Sequence, residues 1–307
     1  MTEQIYICDV APRDGLQNEA RFVPTEDKIA LIDWLSESGV DAIEATSFTS
    51  PKAIPALADA TEVMAGIRRN PAVQYAALVP NGKGCERALA SKVDVINLVM
   101  SASVSHSLAN LRRLPSASLE GFRDIVGIAK GKAAINLSIS TSFGCPFEGA
   151  VPESTLFGHI EAIANLGITQ VTLCDTTGMA NPRQVAQIFI KALANWPGLV
   201  FTAHFHDTRG MGLVNVVAAL GAGIRRFDAS LAGIGGCPYA PGASGNVCTE
   251  DLVHMLLEIG YSTNARLSPL LTIAGEVPRL IGRDVCGAVR VAGPVSLLHP
   301  FPAQPGE

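Results

Sequence analysis

The sequence predicts a (β/α)8 barrel with extra C-terminal helices. Three observations carry this. Short apolar runs rich in β-branched residues recur eight times, each is followed by a helix or helical loop, and polar residues gather where the runs end. The strands are expected at Ile5–Val10, Ala42–Thr46, Tyr75–Val79, Val95–Val99, Ile135–Ser140, Gln170–Cys174, Val200–His206 and Arg226–Ala229. Most of them lack clean polar alternation, as expected for strands with a helix on one side and a packed barrel core on the other.

The intervening helices are expected at Thr25–Ser38, Pro55–Arg69, Gly82–Ser91, Leu119–Lys130, Glu153–Leu166, Pro182–Asn195 and Gly212–Ala222. Thr25 is placed to cap its helix, and Gly39 and Gly167 stand where helices should end. Two further helices, roughly Thr249–Ile259 and Ser268–Leu280, complete the barrel or cover its mouth. Thr249-Glu250-Asp251 puts acids at the positive end of the first of these. Residues 1–293 read as one catalytic barrel domain and 294–307 as an irregular proline-rich tail. An open doubly wound sheet is the alternative. It is disfavoured because Arg-Asp-Gly-Leu-Gln follows the first strand where a Gly-x-Gly-x-x-Gly turn would be expected. Polar residues at many strand ends also suit a barrel, which collects them at one mouth.

Bulk properties narrow the function. Of 307 residues, 48% are hydrophobic and 17% charged, which describes a globular chain, not a disordered one. A net charge of −5 without a basic stripe excludes a nucleic-acid partner. No apolar run is long enough to span a membrane, and Met1-Thr2-Glu3-Gln4 lacks the basic start of a signal peptide. Seven scattered cysteines with no Cys-x-x-Cys pair imply free thiols and a cytoplasmic protein.

The most informative residues are His204-Phe205-His206, followed by Asp207. Residues i and i+2 of a strand face the same way, so both imidazoles can meet one ion. With Asp14 at the end of the first strand and an oxygen from Asn246, they form a mixed nitrogen and oxygen set without thiolate. Such a set suits Mg²⁺ or Mn²⁺. Asp207 is either a partner that orients an imidazole or a loop residue. Arg13, beside Asp14, is placed to stabilise an oxyanion, since a guanidinium stays charged. Glu44 and Asp175 end their strands and are candidates for orienting Arg13 or binding substrate. Cys237 lies in the glycine-rich run Gly235–Asn246, where a nearby cation would lower its pKa. Cys8, Cys174 and Cys248 sit in apolar contexts and read as structural. Cys145, in Phe143–Gly149, fits either a substrate loop or a turn. The polar segment Ser101–Ser107 is a candidate lining of the mouth.

These motifs resemble the 3-hydroxy-3-methylglutaryl-CoA lyase family. The resemblance rests on Arg13–Glu19, Glu44–Lys52, Gly144–Gly149, His204–Thr208 and the Gly235–Asn246 loop, and runs from about Ile5 to Ile259. Arg-Asp-Gly and His-x-His alone would indicate only the wider metal-dependent barrel superfamily that includes isopropylmalate and homocitrate synthases; the cysteine loop is specific. The resemblance implies a (β/α)8 barrel that cleaves an HMG-CoA-like thioester to acetyl-CoA and acetoacetate, in leucine catabolism and ketone body formation. It implies metal ligation by Asp14, His204, His206 and Asn246, catalysis by Arg13 and Cys237, and support from Glu44 and Asp175. A base, with His204 or Asp14 taking part, would remove the C3 hydroxyl proton. Arg13 would hold the enolate oxygen and Cys237 would protonate carbon. The expected partner is an acyl-CoA, and the expected assembly a homo-oligomer, dimer or tetramer.

Two positions depart from the family pattern. Ala20 stands where a lysine is common, and Val104 where a glutamate is common. Both lie near the expected mouth and leave open a related branched 3-hydroxyacyl-CoA. A Claisen-condensing synthase of the isopropylmalate type is the rival enzyme; those proteins usually carry glutamate and arginine where this chain has Cys237-Pro238. A catalytically inactive barrel acting as a scaffold is the non-enzymatic rival, against which every candidate ligand and the thiol are intact.

Overall fold

A computed structural model describes residues 3–236 and 245–300. Eight parallel strands close on themselves: β1 (Gln4–Asp9), β2 (Ala42–Ser47), β3 (Gln74–Leu78), β4 (Val95–Ser101), β5 (Ala134–Ser140), β6 (Gln170–Asp175), β7 (Val200–Phe205) and β8 (Arg226–Ala229). Each pairs with the next, and β1 pairs with both β2 and β8, which makes the TIM barrel. A short β9 (Ser262–Thr263) adds to the N-terminal end of β1.

The connecting helices are α1 (Thr25–Ser38), α2 (Ala60–Gly66), α3 (Gly82–Ala90), α4 (Val104–Leu111), α5 (Pro115–Ala129), α6 (Glu153–Asn165), α7 (Pro182–Asn195) and α8 (Gly212–Gly221). They are followed by α9 (Thr249–Glu258), α10 (Leu267–Ile281) and the short α11 (Ala288–Ala292). Gly39 ends α1 in the left-handed region at φ 91°, as its position in the sequence predicts. Residues 294–300 form no helix or strand.

Three details differ from the sequence reading. Thr25 does not cap α1: Pro24 precedes the helix, and the Thr25 hydroxyl donates to Asp59 Oδ2 at 2.8 Å. The helix expected over Pro55–Arg69 is a 3₁₀ turn, Pro55–Leu57, followed by the shorter α2. The polar stretch after β4 forms α4, started by the Ser103 hydroxyl accepting from the His106 N–H at 3.0 Å.

The strands also alternate more than expected, with the polar side inward. Ile96, Leu98, Leu137, Ile139, Val171 and Leu173 are fully buried in the hydrophobic core. Their neighbours Asn97, Asn136 and Thr172 line an axial cavity of about 50 Å³ together with Glu44, Arg226 and Asp228. Hydrogen bonds link the amides of this column to one another and to Glu44. Asn136 Nδ2 donates to Asn97 Oδ1 at 2.9 Å and to Thr172 Oγ1 at 3.0 Å, and Asn97 Nδ2 donates to Glu44 Oε1 at 2.8 Å. The barrel axis is therefore a polar support under the mouth.

Candidate active site

The first elements of the site sit just past β1. Ala11–Gly15 forms a single π-helical turn in which the Gly15 N–H reaches Val10 O at 3.2 Å. Such wide turns re-aim side chains. This one lifts Arg13 and Asp14 over the barrel mouth, one turn beyond the strand end where the sequence reading put them. Gly15 is required by packing: a Cβ there would lie 2.6 Å from Ile234 Cγ1.

His204, within β7, and His206, just after it, follow the period-two rule, with ring centroids 5.3 Å apart. One ligand atom from each of Asp14, His204 and His206 lies within 4.8 Å of the others. Asp228 stands beside His204, with Oδ2 3.3 Å from Nδ1. A neutral His204 that donates from Nδ1 keeps the lone pair of Nε2 for an ion. Burial disfavours the charged imidazole of His204, but the carboxylates of Asp228 and Asp14 outweigh it and raise the pKa. His206 is pushed down to about 4 by burial and by the neighbouring His204. Burial also works against ionised Asp14, yet Arg13 and the two histidines hold it well below the usual carboxylate range.

Asn246 completes the cluster. Its Nδ2 donates to Asp14 Oδ2 at 2.9 Å, Ile234 O at 3.0 Å and Gly235 O at 3.3 Å. Three acceptors around one end fix the amide orientation and leave Oδ1 as the outward oxygen. Asn246 Oδ1 and His206 Nδ1 are buried with no hydrogen-bond partner among the described residues. Buried orphans of this kind are costly unless something else satisfies them. Two orphaned donor atoms beside a carboxylate and a second imidazole fit a divalent cation.

Arg13 is clamped between two acids. Its Nε donates to Glu44 Oε2 at 2.6 Å, Nη2 lies 2.5 Å from the same oxygen, and Nη1 donates to Asp14 Oδ1 at 2.5 Å. Glu44 therefore orients Arg13 from below, itself held by Asn97; it does not line the cleft. Burial raises the Glu44 pKa in spite of Arg13. Asp175 is placed differently. Its Oδ1 accepts from the Met179 N–H at 2.7 Å, so it shapes the loop after β6 and neither grips Arg13 nor lines the cleft. Burial pushes it up to about 6. Asp207 accepts the Gly212 N–H at 2.6 Å at the start of α8, so Asp228 is the carboxylate beside His204. The sequence reading did not single out Asp228. Its signal was the alternation Arg226-Phe227-Asp228-Ala229, which puts it on the inward side of β8.

The residues Arg13, Asp14, His204 and His206 line a cleft of about 800 Å³ that also reaches the exposed cations Lys52 and Arg112. Cys237 lies outside the described residues. The chain on either side of residues 237–244 is closely packed. Gly245, at φ 98°, leaves its Cβ position 2.1 Å from Gly233 O, and Gly235, at φ 99°, lies against Asn246 and Asp14. Cys145 is buried 2.9 Å from Ser103 Oγ and pairs with Gly149 across a tight turn. Burial raises the thiol pKa values of Cys8, Cys174 and Cys248.

A TIM barrel with two imidazoles, a carboxylate and a clamped guanidinium at its mouth defines a class of barrel proteins whose site fits a divalent metal. Within that class the chain belongs to the HMGL-like family, whose model matches residues 4–277. It is 45% identical over 284 residues to a hydroxymethylglutaryl-CoA lyase of Bacillus subtilis, covering 92% of this chain and 95% of the relative. It is 38% identical to the (R)-citramalyl-CoA lyase of Chloroflexus aurantiacus, covering 95% and 96%. Among solved structures, an HMG-CoA lyase from A. baumannii in complex with coenzyme A and 3-methylmalate superposes with a TM-score of 0.94. That chain is 48% identical, with 97% of this chain and 98% of the other covered.

Proposed function

We propose that this protein is a carbon–carbon lyase that cleaves 3-hydroxy-3-methylglutaryl-CoA to acetyl-CoA and acetoacetate, the reverse of a Claisen-type condensation. The observation that carries the reading is the Asp14–His204–His206 cluster beside Arg13, in a chain so similar to HMG-CoA lyases along its whole length. Asp14, His204, His206 and Asn246 Oδ1 would hold the ion, Mg²⁺ or Mn²⁺ for a nitrogen and oxygen set. Bound there, the ion supplies a Lewis acid that lowers the pKa of the substrate's C3 hydroxyl.

The protein's own groups do the rest. Asp228 orients His204 for the ion, and Asp14, whose two oxygens carry lone pairs beyond those used by Arg13 and Asn246, is the candidate acceptor of the hydroxyl proton. As the C2–C3 bond breaks, its electron pair moves onto the thioester and forms an enolate. Arg13 has five N–H donors, and its contacts to Glu44 and Asp14 leave some of them for that oxygen. Cys237 is the proposed acid that protonates the enolate carbon to give acetyl-CoA. The cleft has room for a thioester, and Lys52 and Arg112 suit the phosphates of CoA. Six free cysteines among the described residues accord with a cytoplasmic enzyme. Exposed Ile190, Val214 and Val217 on the packed pair α7 and α8 accord with a homo-oligomer.

A second acyl group is favoured by the similarity to citramalyl-CoA lyase and by Ala20 and Val104, both exposed. The experiment is acetyl-CoA release from both thioesters with Mg²⁺ or Mn²⁺ added. Acetoacetate from HMG-CoA supports the main reading. Turnover of citramalyl-CoA alone moves it to the second, and turnover of neither rejects both.

A further inference from the structure

The segment after Asp14 does more than lead into α1. Asn18 Nδ2 donates to Gly236 O at 2.9 Å, across 218 positions in sequence. Gly236 immediately precedes Cys237 in the chain. The neighbouring Glu19 is held in turn from the C-terminal region. Arg283, which follows the left-handed Gly282 at the end of α10, grips it with Nη2–Oε1 at 2.5 Å and Nε–Oε2 at 3.0 Å. Glu19 is only 8% exposed in its side chain, so this fork is fixed on the acid's side. Asn246 secures the carbonyls of Ile234 and Gly235, and Asn18 secures the next carbonyl.

We propose that Asn18, braced by the Glu19–Arg283 fork, is a positioning residue for the lyase reaction that fixes the Gly236 carbonyl. This rests on the functional reading above and adds residues to it. Asn18 is exposed in the open cleft, where water competes for the bond. Loss of the bond shifts the backbone next to the site without removing a contact to the substrate, so it appears in kcat more than in KM.

Asn18→Ala and the near-isosteric Asn18→Asp, which loses the donor, should lower kcat by roughly 10- to 100-fold, the range expected when reacting groups are slightly misplaced. KM, metal content and thermal stability should stay near wild type. Arg283→Ala should lower kcat by about 3-fold or more in the wild-type background and by less than about 2-fold in the Asn18→Ala background, because both act through one contact. Hydrogen–deuterium exchange of the peptide around Gly236, without substrate, should rise in each variant. That readout is independent of which thioester is cleaved, so it separates failure of this proposal from failure of the lyase reading. Unchanged exchange and kcat in Asn18→Asp would overturn the proposal. So would a raised KM at unchanged kcat, which would make Asn18 a substrate contact. Independent, multiplicative effects of the two substitutions would remove Arg283 from it.

Discussion

Arg13→Lys separates charge from shape at the centre of the site. Arg13 is 8% exposed and makes three short contacts to two carboxylates, two of them to one oxygen of Glu44. A lysine keeps the positive charge, and with it the influence that holds Asp14 ionised against burial. It loses the planar fork, because one ammonium has no geometry that serves Glu44, Asp14 and a substrate oxygen together. Metal occupancy should therefore survive. Stability should fall by about 2 kcal/mol, roughly one charge-assisted hydrogen bond to buried Glu44. The larger effect should be on turnover. Removing a preorganised donor from a developing oxyanion costs about 3 kcal/mol, or roughly 10²-fold in kcat. Steady-state kinetics, metal analysis and thermal unfolding on one preparation decide the matter. Near-wild-type kcat would reduce Arg13 to a structural ion pair. A loss of metal equal to the loss of activity would show that it serves Asp14 alone.

His206→Ala should abolish tight divalent-metal binding and nearly all turnover, since the remaining groups form an incomplete shell; full occupancy at wild-type affinity in metal analysis would remove His206 from the ligand set. Cys237→Ser should lose most cleavage with metal content and folding intact. Cys237 should also be the thiol alkylated first and protected by substrate in peptide mass mapping; its main competitor is exposed Cys286, as Cys85 and Cys145 are buried. Glu250→Gln should flatten the dependence of stability on pH. Burial pushes Glu250 up to about 8, so the folded state keeps a proton that the unfolded state releases near its ordinary value of 4.5. Wild type then loses stability as pH rises through that interval, and the variant should gain on it between about pH 5 and about pH 8. Parallel melting-temperature curves would contradict the assignment.

Much of this site was legible because it follows from local periodicity. His204 and His206 obey the two-residue repeat of a strand, and Arg13-Asp14 sits just beyond an unambiguous apolar run. The partners that make these groups usable were harder to read. Asn97 and Glu44 lie 53 positions apart, and His204 and Asp228 lie 24 apart. Only strand register around a closed barrel brings them together. The apolar runs also concealed the inward polar column, because its members are single residues spaced between large aliphatics. The wide turn at Ala11–Gly15 and the irregular pairing between Glu44 and Thr46 depend on tertiary packing that propensity does not encode. Helix α4 was missed for a simpler reason. Its polar first turn resembles a loop until Ser103 is seen to cap it.

The resulting arrangement makes Asp14 a shared contact of Arg13, Asn246 and the two imidazoles. One carboxylate accepts from Arg13 through Oδ1 and from Asn246 through Oδ2, and it faces both imidazoles. Asn246 in turn holds the chain that leads into Cys237, and Arg13 is seated on the polar column of the barrel axis. On the proposed reading, the ion, the oxyanion donor and the base of the loop would all rest on this one oxygen pair. This coupling has a consequence for mutational series. Substitutions at Arg13, Asp14 and Asn246 should not combine as independent losses, because each already disturbs the contacts of the others. Asp14→Asn should therefore be as damaging as the double variant Asp14→Asn with Asn246→Ala. Additive losses in kcat would mean that the metal site and the loop are built separately.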